Sequence, residues 1–346
     1  MDAKNCLSYN LFMRNLNSKK FGDKSIVCIG GGTGLSVILK GLKEYTTQLT
    51  AIVTVADDGG GSGTLRDELN ILPPGDIRSC ILALADSEPI MEEVLNYRFC
   101  DGGLKGQNFG NLLLAAMTEV CGGDFLKAVG EVSNVLKVKG RVLPVTESNV
   151  VLAALLVSGE KVFGESEIGK AYLCHKSKIS KVWLENKDGS KNEIKPPSET
   201  LEAIENADII TLGPGSLFTS IMPNLIVPGI KEAIKASKAP VVFINNIMTQ
   251  PGETDGYTAY DHYDAIVRHV GEDLVDYCIV NNGEVEKDVL MKYTEDGADR
   301  VAPDIEKFGK EVKVFEDNMI TLTSKGTLRH KTSKIVDIIY DILQNT

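Results

Sequence analysis

Two glycine-rich runs carry the residue types and spacing that could do chemistry. The first, Gly30-Gly31-Gly32-Thr33-Gly34, follows an apolar stretch at residues 26–29 and precedes Leu35, Ile38, Leu39 and Leu42 at helical spacing. Glycine lets backbone close in on an anion, and a helix start adds free N–H groups and the positive end of its dipole. Gly31, Gly32, Thr33 and Gly34 are therefore candidates to hold a phosphate or pyrophosphate. A dinucleotide fingerprint would need glycine where Leu35 stands, and no lysine follows the run as in a P-loop. A tight strand-to-helix turn without a ligand is the plain alternative.

The second run is Asp57-Asp58-Gly59-Gly60-Gly61-Ser62-Gly63-Thr64-Leu65-Arg66. Gly59, Gly60, Ser62, Gly63 and Arg66 read as another anion-binding nest with a guanidinium behind it. Asp57 and Asp58 are the candidate catalytic carboxylates and could hold Mg²⁺ through oxygen. Asp57 also lies 23 residues beyond Gly34, where a nicotinamide-binding fold keeps its ribose-binding acid. An Asp-Gly turn is the alternative for each carboxylate.

Further along, Pro73-Pro74-Gly75-Asp76-Ile77-Arg78 reads as a turn into a helix, with Asp76 as its cap and Arg78 free to pair with Asp76 or reach a phosphate. Asn108 and Asn111 stand at another helix start, where Asn either caps or reads a base or sugar. Gly213, Gly215, Ser216, Thr219 and Ser220 follow the apolar residues 209–212, on the ligand-binding edge of an open sheet. Asn245, Thr249, Gln250 and Thr254 end on the same edge and offer amides and hydroxyls. The expected pocket is polar and neutral to basic. Four histidines, at 175, 262, 269 and 330, form no zinc-binding spacing.

The elements that must position these groups alternate strand and helix, which implies an α/β fold: a Rossmann-like, doubly wound, mostly parallel sheet. Residues 24–140 and 198–346 are expected to form this nucleotide-binding core. Residues 141–197 read as a small β-rich insertion, with strands at 150–157, 161–163 and 179–184. Residues 1–23 read as a polar N-terminal tail, and residues 284–330 are charged and weakly patterned. The chain has 346 residues, 43% of them hydrophobic and 25% charged, an ordinary globular balance. Its net charge of −11 argues against nucleic acid as a partner. Seven cysteines without a CxxC spacing read as reduced thiols, and neither a signal peptide nor a membrane span is legible. The expected location is the cytoplasm.

Six ordered blocks then carry a resemblance. They are Val53–Gly60 continuing into Leu72–Arg78, Asn108–Leu113, Gly140–Pro144, Leu212–Ser220 and Met248–Tyr257. Over residues 25–270 the chain resembles the YvcK-type gluconeogenesis factors, a branch of the superfamily of 2-phospho-L-lactate transferases (CofD). The resemblance implies a Rossmann-like core, a cytoplasmic bacterial protein and a UDP-sugar as ligand. It also implies a role in cell shape and wall synthesis during gluconeogenic growth, with cell-wall synthesis proteins as partners; a homo-oligomer is expected. In the transferase branch the scaffold binds a guanosine-diphosphate-linked donor with Mg²⁺ and passes its phospholactyl group to a deazaflavin. That branch has Asn where Thr54 stands, and the YvcK-type pattern has Ser, Arg, His and Ser where Gly61, Thr64, Gln107 and Asn108 stand. A CofD-like transferase and an NAD-dependent oxidoreductase using Gly30–Gly34 and Asp57 are the alternative functions.

Overall fold

A computed structural model describes residues 21–324 and 326–345. The expected tail therefore lies outside the described residues as far as residue 20. Phe21, at its end, is buried against the rings of Tyr45 and Tyr340.

In chain order the strands are β1 (Ile26–Gly30), β2 (Leu49–Val53), β3 (Arg141–Pro144), β4 (Val150–Leu156), β5 (Lys161–Phe163), β6 (Ile179–Asn186), β7 (Ile209–Leu212), β8 (Val241–Ile244), β9 (Tyr277–Asn281), β10 (Lys313–Asp317), β11 (Ile320–Leu322) and β12 (Leu328–His330). Seven of them form one sheet in the order β10-β9-β8-β7-β1-β2-β3, and every neighbouring pair is parallel. Helices cover both faces, so β1, β2, β7 and β8 are buried along their whole length and consist of Ile, Val, Leu, Phe and a few small residues. The chain winds outward from β1 through β2 to β3, then returns to the other side of β1 as β7 and winds on to β10. The strand order reverses between β1 and β7. That reversal opens a crevice at the carboxyl ends of the two strands, where open α/β sheets bind ligands.

Five helices matter for the site: α1 (Gly32–Leu42), α2 (Gly60–Leu69), α3 (Gly75–Leu84), α4 (Pro89–Asn96) and α5 (Phe109–Val120). Helix α1 buries Leu35, Ile38, Leu39 and Leu42, spaced 3, 4, 7 along one stripe. At about 1.5–3 kcal/mol per buried aliphatic side chain, that stripe fixes the start of α1 over the crevice.

The insertion forms its own antiparallel sheet, β5-β4-β6. Its boundary differs from the expected one at 141. Arg141–Pro144 is the edge strand of the main sheet, paired in parallel with Thr50–Val53. Four residues ending in proline show too little periodicity to be told apart from the strands that follow. The weakly patterned stretch 284–330 contains the helix Lys287–Glu295, the edge strand β10 and the β11–β12 hairpin. Edge strands carry charge, so β10 (Lys313-Val314-Phe315-Glu316-Asp317) has no continuous apolar pattern in the sequence. Among the described residues no helix is long and apolar enough to cross a membrane.

Candidate functional site

The turn after β1 packs directly on the turn after β7. Gly31 is extended, whereas Gly32 takes φ +64° as the chain swings into α1. A Cβ on Gly31 would lie 2.5 Å from Asp76 Oδ2 and 2.7 Å from Thr54 Cγ2, and one on Gly34 would collide with the Pro214 carbonyl. Across the crevice, a Cβ on Gly215 would lie 3.4 Å from the Gly31 carbonyl. Several glycines of the run therefore serve close approach of protein to protein. Thr33 remains exposed at the tip, and Ser220 sits half-buried beside Gly31 and Gly32.

Opposite this turn stands a wall of carboxylates. Asp76 is not the N-cap of α3, a place taken by Pro74; it accepts the Gly32 N–H. Burial, aided by the charge of Asp57, pushes its carboxyl up to about 6. Asp57 accepts the Gly59 N–H at 2.8 Å and a bond from Ser62, and burial raises its pKa as well. Asp58 accepts the N–H of Ser166 at 2.9 Å, which ties the loop after β2 to the insertion. Glu165, at the start of the insertion's helix Glu165–Ile168, is pushed up to about 8 by burial and by Asp57, Glu253, Asp58 and Asp76. Glu253 is buried and pushed up to about 7, although it accepts bonds from Thr219 Oγ1 (2.9 Å), the Phe218 N–H (3.3 Å) and Gln250 Nε2. The pocket is thus acidic on this side, which corrects the neutral-to-basic expectation.

The correction follows from where the arginines go. Arg66 is buried with its guanidinium turned to the insertion, donating to Asn149 Oδ1 (2.8 and 2.6 Å), to the Val150 carbonyl and to the Asp57 carbonyl (3.3 Å). It clamps two segments together. Arg78 donates to Asn111 Oδ1 (2.9 Å), Asn96 Oδ1 (2.8 Å) and Ser79 Oγ (3.3 Å). Asn111 in turn donates to Ser62 Oγ at 3.3 Å, so Arg78, Asn111, Ser62 and Asp57 form one chain of polar contacts. Asn108 caps α5 by accepting the Asn111 N–H at 3.2 Å.

Several other expected ligand groups are committed internally. Asn245 donates to the Ala259 carbonyl at 2.8 Å, Thr249 Oγ1 accepts the Asp299 N–H at 2.8 Å, and Thr254 Oγ1 accepts the Gln250 N–H at 2.9 Å. Ser216 Oγ donates to Gln250 Oε1. Gly59, Gly60 (φ +49°) and Gly63 shape the start of α2, and a Cβ on Gly63 would collide with the Asp58 carbonyl. Gly213 turns at φ +77° against β8.

A cavity of about 240 Å³ joins the glycine turns to the carboxyl-terminal region. Thr33, Gly34, Gly215 and Ser216 line one end, and Tyr293, Arg329 and His330 line the other. The Tyr293 hydroxyl accepts the Leu328 N–H at 2.9 Å, which fixes the ring against β12. His330 Nε2 donates to the Asn245 carbonyl at 2.9 Å, and burial lowers its pKa to about 4, so it is neutral. None of these three residues is legible as a site residue in the sequence, because only the fold-back of the β11–β12 hairpin brings them to the crevice.

Among the described residues no group of three or more His, Cys, Asp or Glu side chains is placed to hold a metal ion. Asp57 and Asp58 each already accept a backbone N–H. A Mg²⁺ there would depend on ligand phosphates for most of its coordination, as Mg²⁺ in nucleotide sites commonly does.

A family model for 2-phospho-L-lactate transferase CofD matches residues 26–320. The chain belongs to the CofD family. Within it, the chain is 45% identical over 321 residues to the gluconeogenesis factor of Bacillus subtilis, covering 92% of this chain and 98% of that one. It is 48% identical over 320 residues to the gluconeogenesis factor of Halalkalibacterium halodurans, covering 92% and 96%. A crystal structure from Bacillus halodurans superposes with a TM-score of 0.85 at 46% identity, over 91% of this chain and 99% of that one. The family and the Rossmann-like architecture read from the sequence are both borne out.

Proposed function

We propose that this CofD-family chain binds a UDP-sugar in the crevice between β1 and β7 and acts as a ligand-responsive regulator of cell shape and wall synthesis, in the cytoplasm, during gluconeogenic growth. The observation that carries the ligand reading is the cavity that runs from the glycine turns to Tyr293 and Arg329. At one end the start of α1 offers backbone N–H groups and a dipole to a diphosphate. At the other, an aromatic ring and a guanidinium suit a uracil or sugar ring and its oxygens. The regulatory role rests on the resemblance to the gluconeogenesis factors.

Titration calorimetry with UDP-GlcNAc and UDP-glucose, with GDP and NAD as comparisons and with and without Mg²⁺, tests this reading. Arg329→Ala and Tyr293→Ala are expected to weaken the UDP-sugar at least ~10-fold, about the 1.4 kcal/mol of one good contact. Their ligand-free melting temperatures should stay near that of the wild type. Unchanged affinity in both variants would remove the cavity from the site. Mg²⁺-dependent consumption of a guanosine-diphosphate-linked donor would favour the transferase reading, to which the family model's name lends support.

A further inference from the structure

Away from the crevice, a cavity of about 590 Å³ lies where the insertion meets the core. Strand β6 forms one wall; the stretch from Leu225 to Glu232 and the end of the helix Ala259–Val270 form the other. It shares no lining residue with the cavity beside the glycine turns. Its volume falls within the ~300–1,000 Å³ of small-molecule sites. Leu225, Val227 and Val270 give it a buried apolar floor, and the half-buried Trp183 adds an indole ring. That ring is held in place: its Nε1 donates to Glu185 at 2.7 Å, and Phe163 meets it edge-on at 6.5 Å.

The wall formed by β6 also carries unpaired backbone. Strand β6 is an edge of the insertion's sheet, with β4 on one side only. The Val182 N–H points off the free edge and donates to His269 Nε2 at 3.1 Å. In an antiparallel ladder the residue two further on points the same way. Its partner confirms this, since Leu152, opposite Leu184, gives its carbonyl to Gly164 of the β5 side. The Leu184 N–H and carbonyl therefore leave the sheet at the cavity, and among the described residues neither has a hydrogen-bond partner. They offer a ligand one donor and one acceptor at a fixed place.

Charge decides the class of ligand. The lining side chains carry positive charge on Lys181, Lys231 and Arg268 and negative charge on Glu232. Glu232 caps the helix Ile230–Ala236 by accepting the Gly229 N–H at 3.1 Å, and Arg268 pairs with Asp264 of its own helix at 2.8 Å. Beside the cavity Glu193 pairs with Lys195 at 2.8 Å, and Lys161 lies over the Trp183 ring that Glu185 holds. Lys181 and Lys231 are in no ion pair among the described residues. His269 senses this surplus: burial first, and then the charges of Arg268 and Lys181, hold its pKa below 6.5. An apolar floor, an indole and two uncommitted ammonium groups suit a flat apolar body that carries a negative charge.

We propose that this cavity is a second ligand site, for a small aromatic anion, separate from the β1–β7 crevice. Trp183 is the chain's single tryptophan, so its emission reports from the cavity wall. Titration of the full chain with 8-anilinonaphthalene-1-sulfonate, an aromatic sulfonate that takes up tryptophan emission, tests the proposal. The sulfonate should quench Trp183 with one site per chain. N-phenyl-1-naphthylamine, which has the same rings and no charge, should bind about 10-fold more weakly. Lys181→Glu with Lys231→Glu should weaken the sulfonate about 10-fold and leave the uncharged probe unchanged, which also shows that the cavity is still folded. Lys181→Gln with Lys231→Gln, the milder pair, should weaken it about 3-fold. Arg329→Ala removes the guanidinium of the other cavity and should change nothing. Absence of quenching overturns the proposal, and so does equal binding of the two probes. Indifference of the sulfonate to both lysine pairs overturns it as well, as does loss of binding in Arg329→Ala, which would put the probe in the crevice. No arm uses a UDP-sugar, so the result stands apart from the reading of the crevice.

Discussion

The two sides of the crevice are built from different materials. The β1–β7 side is almost all backbone: Gly31, Gly34 and Gly215 let two turns touch, and no charged side chain lies within the turns. The opposite side is almost all charge. Asp57, Asp76, Glu165 and Glu253 come from four separate stretches of chain, and each is pushed above the usual carboxylate range, first of all by burial. The backbone side is tightly packed and carries no charge of its own. The charged side is strained by desolvation and mutual repulsion, and is relieved by protons, hydroxyl donors or a cation.

The sharpest way to break the comparison is to damage the backbone side. Gly34→Val would drive a branched side chain into the Pro214 carbonyl, and backbone on both sides leaves little room to yield. The expected cost is about 3 kcal/mol, the upper range for overpacking a tight interior, together with loss of the proposed ligand binding. Gly32→Ala is the contrast. It meets nothing closer than 3.8 Å and suffers only from φ +64°, so about 1 kcal/mol is expected. Urea denaturation of the two variants checks the ranking. Equal costs would mean that the turns after β1 and β7 do not bear on each other.

Arg66→Ala addresses the joint between the charged side and the insertion. It strands the Asn149 side chain and the Val150 carbonyl, both of which the guanidinium now satisfies. Leaving buried acceptors unpaired costs about 1–3 kcal/mol, so a loss of about 2 kcal/mol is expected. Hydrogen exchange should speed up in residues 145–197 and little elsewhere. Arg66→Lys should not rescue, because one ammonium cannot replace a fork that reaches three acceptors. A loss of ligand affinity without faster exchange would return Arg66 to the anion-binding role that its place in the glycine run suggests.

That reversal shows what a sequence can and cannot carry. Strand and helix alternation, the glycine turns after β1 and β7, and the family are legible because each depends on neighbours in the chain. Arg66 and Thr219 mislead because their partners, Asn149 and Glu253, lie 83 and 34 residues away. Glu165 and Glu253 carry no local signal, since an isolated Glu in a helix or turn is ordinary; their meaning comes from burial beside one another. Tyr293, Arg329 and His330 are hidden for the same reason, in a stretch whose edge strands carry charge. Arg141–Pro144 falls on the wrong side of a boundary because a four-residue edge strand has less pattern than the pairing that places it.

The smallest effect tests the charged side by its own proton equilibria. Glu165 is pushed up to about 8 and Glu253 to about 7, against 4.5 for an ordinary Glu. A carboxyl with a raised folded pKa binds its proton more tightly in the folded state. Its contribution is complete below about 4.5 and is lost as the pH rises through the folded value. His262 and His330, lowered by burial to about 4, act in the opposite sense, but only between about 4 and 6.5. Above pH 6.5 the carboxylates act without that opposition, and the wild type should lose stability between pH 6.5 and 8.5. Glu165→Gln keeps the shape and removes the charge. Because Glu165 is only partly buried and solvent screens its charge, the variant should be more stable than the wild type by about 1 kcal/mol at pH 8.5, and nearly equal to it at pH 5. Melting curves of the two proteins across this range read the difference directly. Curves that stay parallel would mean that Glu165 is ionised without penalty at neutral pH, and that the two sides of the crevice are alike in bearing no strain.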